Sequence, residues 1–175
     1  MPSYNIFYSR IRNYFDGNEL RLNILKAIYR VMPLITAATY IAVLVLLFVR
    51  HDARLIRATC YPCIVFVAAS IFRKCYNRPR PYEGNDAIIP LISKDKKGQS
   101  FPSRHALSAA VIASACFYVY VPLGIIIAVI SVVIAITRVI AGVHYPSDAA
   151  GGLIIGYGLC TLLFLYICMC ILMNE

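Results

Sequence analysis

Residues 138–173 read RVIAGVHYPSDAAGGLIIGYGLCTLLFLYICMCILM, and this stretch decides the fold. From Ala149 to Met173 no residue is charged. A run of that length can cross a bilayer, which takes about 20 apolar residues. Just ahead of it stand Arg138, His144 and Asp148 in the pattern R-x5-H-x3-D. A charge at a helix centre in lipid costs about 2.5–3.5 kcal/mol on the insertion scale, so a membrane chain that keeps such groups has a use for them.

Working outward, four more apolar segments precede this one: Met32–Val49, Leu55–Phe72 (interrupted by Pro62), Ala106–Tyr120 and Val121–Ile136. Of the 175 residues 61% are hydrophobic, against about 45–50% apolar in ordinary soluble domains. Asn18–Arg30 places Leu20, Ile24, Leu25 and Ile28 at helical spacing with Arg21, Lys26 and Arg30 elsewhere on the wheel, which predicts an amphipathic helix at the interface. It has the alternative of continuing into the next segment past Pro33, a residue that kinks helix interiors. The expected class is therefore all-α, an integral membrane helical bundle of five transmembrane helices plus an N-terminal amphipathic helix. It forms one domain over residues 1–175, with 1–31 as an interfacial segment and 32–175 as the bundle carrying the site. Met1 to Arg30 has no continuous apolar core followed by small residues, so no cleavable signal is expected. Gly152-x-x-x-Gly156, with Gly151 and Gly158 beside it, predicts close helix packing.

The net charge of +9 does not read as nucleic-acid binding. Its basic residues lie between apolar runs, as at Arg50, Arg54 and Arg57, or Arg73, Lys74, Arg78 and Arg80, where lipid headgroups are the natural neighbours. Seven cysteines fall mostly inside apolar segments and are expected to be small buried hydrophobes. Cys60-x-x-Cys63 has no second pair to complete a zinc site.

The charged motifs converge when the crossings are counted. Arg73 to Pro81 follows the second span, Ser103 to His105 opens the third, and the third and fourth go out and back through a reversal at Val121–Gly124. Arg138, His144 and Asp148 thus return to the same membrane face. Ser103 and Ser147 are expected to cap helix starts there, aiming free N–H groups and positive dipole ends at one place. Arginines at 73, 80 and 138 add planar donors matched to phosphate oxygens. A carboxylate four residues after His144 can hold one ring nitrogen and leave the other as base or nucleophile. His105 is placed to protonate a leaving oxygen. The connection from Tyr82 to Phe101 is long enough to be a lid or a plain connector.

Arg80-Pro81, Pro102-Ser103-x-His105 and Arg138-x5-His144-x3-Asp148 resemble, in order and spacing, the three-part signature of the type 2 phosphatidic acid phosphatase superfamily of membrane lipid phosphatases. The resemblance implies His144 as the nucleophile forming a phosphohistidine, Asp148 as its orienter and His105 as the general acid. It implies that Arg73, Arg80, Ser103, Arg138 and the backbone near Arg104 bind phosphate, with no metal and no cofactor. Two positions depart from the pattern: Arg73 stands where the family has lysine, with Lys74 one residue late, and Thr137 where serine is common. The expected activity is metal-independent hydrolysis of a lipid phosphomonoester or an isoprenyl diphosphate. Phosphatidate and the undecaprenyl diphosphate carrier are the two kinds of substrate. The alternative is a non-catalytic protein that binds or translocates anionic lipid. The expected partners are the bilayer and a lipid phosphate, with no nucleic acid and no obligatory protein partner. The expected setting is a bacterial cell membrane with the site outside the cytoplasm.

Overall fold

A computed structural model describes residues 2–83, 85, 88–93 and 97–172, so the end of the last expected span at Met173 lies outside the described residues. Among them the regular structure is helical: α1 (Pro2–Phe15), α2 (Glu19–Val49), α3 (Arg54–Tyr76), α4 (Arg104–Val119), α5 (Val121–Ile140) and α6 (Pro146–Leu172). Helices α2, α3, α5 and the Pro146–Tyr166 part of α6 are long and apolar enough to cross a membrane. Large apolar side chains on them face outward, including Leu34, Phe48, Ile56, Ile71, Val129 and Ile154. So much exposed apolar surface on helices of that length is a lipid-facing surface. The chain is an integral membrane protein.

Helix α4 is the axis of the bundle. It packs against α2, α3, α5 and α6, and Ala106, Ala110, Ala113, Ala115 and Cys116 are inaccessible. Between helices in lipid the hydrophobic drive is absent, so close backbone approach through small side chains takes its place. The glycine pair on α6 supplies the other half of that contact. A Cβ at Gly152 would sit 2.7 Å from the Ser103 carbonyl oxygen, and one at Gly156 would sit 2.7 Å from the Ala110 Cβ. Gly158 faces open space, so the small-residue seam is narrower than the sequence suggested.

The N-terminal boundary differs from expectation. Asn18–Arg30 and Met32–Val49 are one helix, α2, and the division at 31/32 falls inside it. The amphipathic N-terminal helix is instead α1, ended by Gly17 at φ +71, after which the Asn18 side chain caps α2 by accepting from the Arg21 N–H. Proline did not break α2 because its missing hydrogen bond was replaced. Pro33 leaves the Tyr29 carbonyl without a helical donor, and the Arg138 Nη2 of α5 donates to that oxygen at 3.0 Å. The same device runs α3 unbroken through Pro62: the Ala58 carbonyl it orphans accepts the Tyr40 hydroxyl of α2 at 2.8 Å. Neighbouring helices re-satisfy freed backbone groups in just this way inside membranes.

Two smaller expectations also change. The reversal between α4 and α5 is confined to Tyr120, with Pro122 in the first turn of α5, where proline is tolerated. Cys116 and Cys160 are buried, but Cys60, Cys63 and Cys75 face outward, since a lipid-facing surface accepts a small thiol as readily as the interior does.

Candidate active site

Asn77 ends α3 in the left-handed conformation at φ 42, which asparagine tolerates, and turns the chain into Arg78-Pro-Arg-Pro. Its Oδ1 then accepts the Gln99 N–H at 3.1 Å, and the Arg78 carbonyl accepts the Ser100 N–H at 2.8 Å. Glu83 Oε1 accepts two backbone N–H groups, Arg80 at 3.0 Å and Gly98 at 2.6 Å. Both ends of the 82–101 connection are thereby fixed to the site. The starts of α4 and α6 are joined directly, the Ser103 N–H donating to the Asp148 carbonyl at 2.9 Å. On the last approach the chain leaves α5 through Gly142 at φ +76, where a Cβ would strike the Tyr8 hydroxyl of α1.

His144 and Asp148 are both buried, with His144 Nδ1 3.6 Å from Asp148 Oδ2. That is an ion-pair distance, long for a hydrogen bond. Asp148 is held mainly by others: the Ser100 hydroxyl donates to Oδ2, the Tyr145 N–H to Oδ2 at 2.9 Å, and Arg78 Nη1 to Oδ1 at 2.8 Å. Ser100 Oγ also lies 3.5 Å from His144 Nδ1, so serine and carboxylate together face that edge of the ring. Nε2 is left on the opposite edge. Burial pushes the His144 pKa below its ordinary 6.5, with Arg80 and Arg73 adding to the depression and Asp148 opposing it. A lowered pKa favours the neutral imidazole.

The arginines differ in what they hold. Arg73 is buried while Lys74 is exposed, and Arg73 Nη1 donates to the Pro102 carbonyl at 2.7 Å. It also feels the charges of Arg80, Arg104 and Asp148. Arg80, buried, donates from Nε to Gly98 O at 3.1 Å and from Nη1 to Val143 O at 3.3 Å, beside His144. Arg138 is the exception among the expected residues. Its guanidinium lies 3.5 Å over the Tyr29 ring and bonds the Tyr29 carbonyl, which ties it to α2, though its Nε is buried without a partner. Ser103 caps α4 by position only: its hydroxyl is wholly buried and, among the described residues, has no hydrogen-bond partner, and it makes no side-chain bond to the first N–H groups of that helix. Arg104 is exposed and His105 partly exposed on the same turn.

Ser147 is not a cap, because α6 begins a residue earlier at Pro146; its hydroxyl accepts from Arg78 Nη1 at 2.9 Å. Arg78 and Ser100 are the residues sequence reasoning missed. Arg78 was visible within Arg-Pro-Arg-Pro but reads equally well as a basic flank, and nothing marks a lone serine in a connection. Arg78 additionally stacks 4.6 Å over the Tyr145 ring, which fixes it above Asp148.

The sequence model of the PAP2 superfamily matches residues 60–171, a span that takes in every one of these groups except those of α1 and α2. The chain belongs to the PAP2 superfamily. Among solved structures this member resembles LpxE of Aquifex aeolicus at a TM-score of 0.69, with 20% identity, covering 89% of this chain and 91% of that one. It also resembles the first transmembrane PAP2 type phosphatidylglycerolphosphate phosphatase from Bacillus subtilis, at a TM-score of 0.54 and 24% identity, covering 94% of each chain. Both likenesses show the fold. The bacitracin transport permease protein BcrC of Bacillus licheniformis is 30% identical over 99 residues, 55% of this chain, and the chain spans about half the length of that relative (49%).

Proposed function

We propose that this chain is a membrane lipid phosphatase working through a phosphohistidine on His144. The observation that carries the reading is a buried nucleophile beside unsatisfied donors. The neutral His144 imidazole, backed by Asp148, sits with Arg73 and Arg80, while the Ser103 hydroxyl and the Arg138 Nε have no hydrogen-bond partner among the described residues and Ser103 leaves the start of α4 without its side-chain cap. Buried donors without acceptors cost free energy, and a phosphoryl group's oxygens would remove that cost.

In the proposed reaction the His144 Nε2 lone pair attacks phosphorus as the bond from phosphorus to the lipid oxygen breaks. His105 gives that oxygen its proton, and the lipid leaves as an alcohol, or as a monophosphate from a diphosphate. Water, deprotonated by His105, then attacks the phosphorus, the N–P bond breaks and inorganic phosphate departs. Arg73, Arg80, Ser103 and the N–H groups near Arg104 neutralise charge on the equatorial oxygens, which is most of what phosphoryl transfer requires. Arg138 reaches the phosphate through Nε, its Nη2 being held by Tyr29. Guanidinium charge does here what a divalent cation does elsewhere, so no metal is needed.

Purified protein is expected to release inorganic phosphate from phosphatidate or from an isoprenyl diphosphate, undiminished by chelator and inhibited by vanadate, whose five-coordinate adduct mimics the transition state. Activity lost to chelator and restored by Mg²⁺ defeats the mechanism. No release from any lipid phosphate favours the second reading, anionic-lipid binding or translocation, which the transport name of the BcrC relative suggests. Binding an anion needs only the arginines, and the pairing of His144 with Asp148 then has no purpose.

We place the protein in a bacterial cell membrane with the site outward, as the resemblance and the basic Arg50–Arg57 turn on the far side imply. Arg10, Arg12, Arg21, Lys26 and Arg30 lie on the site's own side and weigh the other way. Because α1 sits at the site, an N-terminal tag reports its side. Antibody labelling of that tag in intact spheroplasts is the expected result, and labelling only after permeabilisation reverses the orientation.

A further inference from the structure

Helix α1 is the element that the charged motifs leave without a purpose. It is anchored by Tyr8, which is 1% exposed, lies against Gly142 and accepts the Leu91 N–H on its hydroxyl at 3.1 Å. One turn earlier Tyr4 is carried over the site, its ring 4.9 Å from that of Tyr145, the residue after His144. The Tyr4 hydroxyl is buried and has no hydrogen-bond partner among the described residues. Burial first, then the neighbouring Tyr8, Tyr145 and Asp148, push its pKa well above the ordinary 10.0. It is therefore an O–H donor at any working pH, near enough to Asp148 to feel that carboxylate's charge and without an acceptor among the described residues.

Phe7 and Ile11 follow Tyr4 at helical spacing on one face of α1. They line an apolar groove of about 370 Å³, together with Val139 of α5 and Pro146, Ala149 and Leu153 of α6. The groove runs beside the site: two of its lining residues, Pro146 and Ala149, flank Asp148 in the first turn of α6. It opens on the lipid-facing side of the bundle between α5 and α6. A lipid whose phosphate lay against His144 would find one apolar path for its chain here, under α1.

We propose that α1 is the substrate-selecting element of the site, its Tyr4 hydroxyl donating to an oxygen of the bound lipid phosphate and its Phe7 and Ile11 side chains closing over the lipid's hydrocarbon chain. This rests on the phosphatase reading above and extends it: the head is recognised by Tyr4, the tail by the groove, and both by one interfacial helix.

The test uses the full chain in detergent micelles with two probes, dioleoyl phosphatidate and p-nitrophenyl phosphate, which shares the phosphate and lacks the tail. Tyr4→Phe keeps the ring packing on Tyr145 and removes only the donor. It is expected to raise KM for phosphatidate about tenfold, the lower end of what one hydrogen bond to a charged group supplies. An unchanged KM means Tyr4 is there for packing alone and overturns the head contact. Phe7→Ala combined with Ile11→Ala is expected to lower the ratio of kcat/KM on phosphatidate to that on the aryl phosphate about tenfold, and Phe7→Leu with Ile11→Leu to restore most of it. Equal losses on both probes, or an unchanged ratio, overturn the tail contact. Wild-type protein inactive on both probes defeats the phosphatase reading and this one with it. An active wild type with unresponsive α1 variants defeats this one alone.

Discussion

Replacing His144 by alanine is expected to lower turnover of a lipid phosphate by roughly 10⁴-fold or more, the scale on which removing a covalent nucleophile acts. Wild-type enzyme given ³²P-labelled substrate and quenched in SDS at alkaline pH should carry alkali-stable, acid-labile label, as a phosphoimidazole does, and His144→Ala should carry none. Label persisting in the variant moves the nucleophile elsewhere. The pH dependence gives a second handle. The nucleophile must be neutral, and burial holds the His144 pKa below 6.5, so the acid limb of kcat/KM should lie below that value. Asp148 raises this pKa and Arg80 lowers it. Asp148→Asn should therefore shift the acid limb further down while slowing the reaction, and Arg80→Gln should shift it up. Limbs that move in the opposite senses would mean that the titrating group is not His144.

The parts of this protein that could be read from sequence are those fixed by one-dimensional rules. Helix length in lipid is set by the bilayer, so four of the five expected spans and their order followed from apolar run length, while the third, α4, is a shorter apolar helix than a crossing takes, and the count of crossings rested on it. Sequence alone does not say which of Arg73 and Lys74 turns inward; in the structure Arg73 is buried and Lys74 exposed. What escaped was set by pairs of residues distant in sequence. Pro33 argued for a break, but the carbonyl it orphans is met by Arg138, 109 positions away. The same bond explains why Arg138, expected among the phosphate ligands, has half its fork turned towards α2. Asp148 was paired with His144 on spacing alone, whereas its strongest contacts are to Arg78 and Ser100, 70 and 48 positions back. Helix α1 has only a modest apolar face, too weak in isolation to mark it as a helix, and it is legible only once Gly142 and the 88–91 segment supply the surface on which Tyr8 packs.

His105→Ala is expected to separate substrates by their leaving groups. A lipid alkoxide is a poor leaving group until it is protonated, and a positioned acid is worth about 10²–10⁴-fold, so turnover of phosphatidate should fall by that factor. p-Nitrophenolate leaves without a proton, so attack by His144 on the aryl phosphate should survive. The second half of the reaction should not, because the same histidine must then take a proton from water. The variant should therefore show a burst, about one equivalent of nitrophenolate per enzyme followed by a slow steady state, with the phosphoenzyme accumulating behind the block. Its place on the partly exposed first turn of α4, where water can reach it, suits both duties. Equal losses on the two substrates with no burst would remove His105 from the chemistry. The acid would then have to be sought among the other groups near the mouth of the site, with Tyr4 the first candidate because its hydroxyl is protonated, buried and without a hydrogen-bond partner among the described residues.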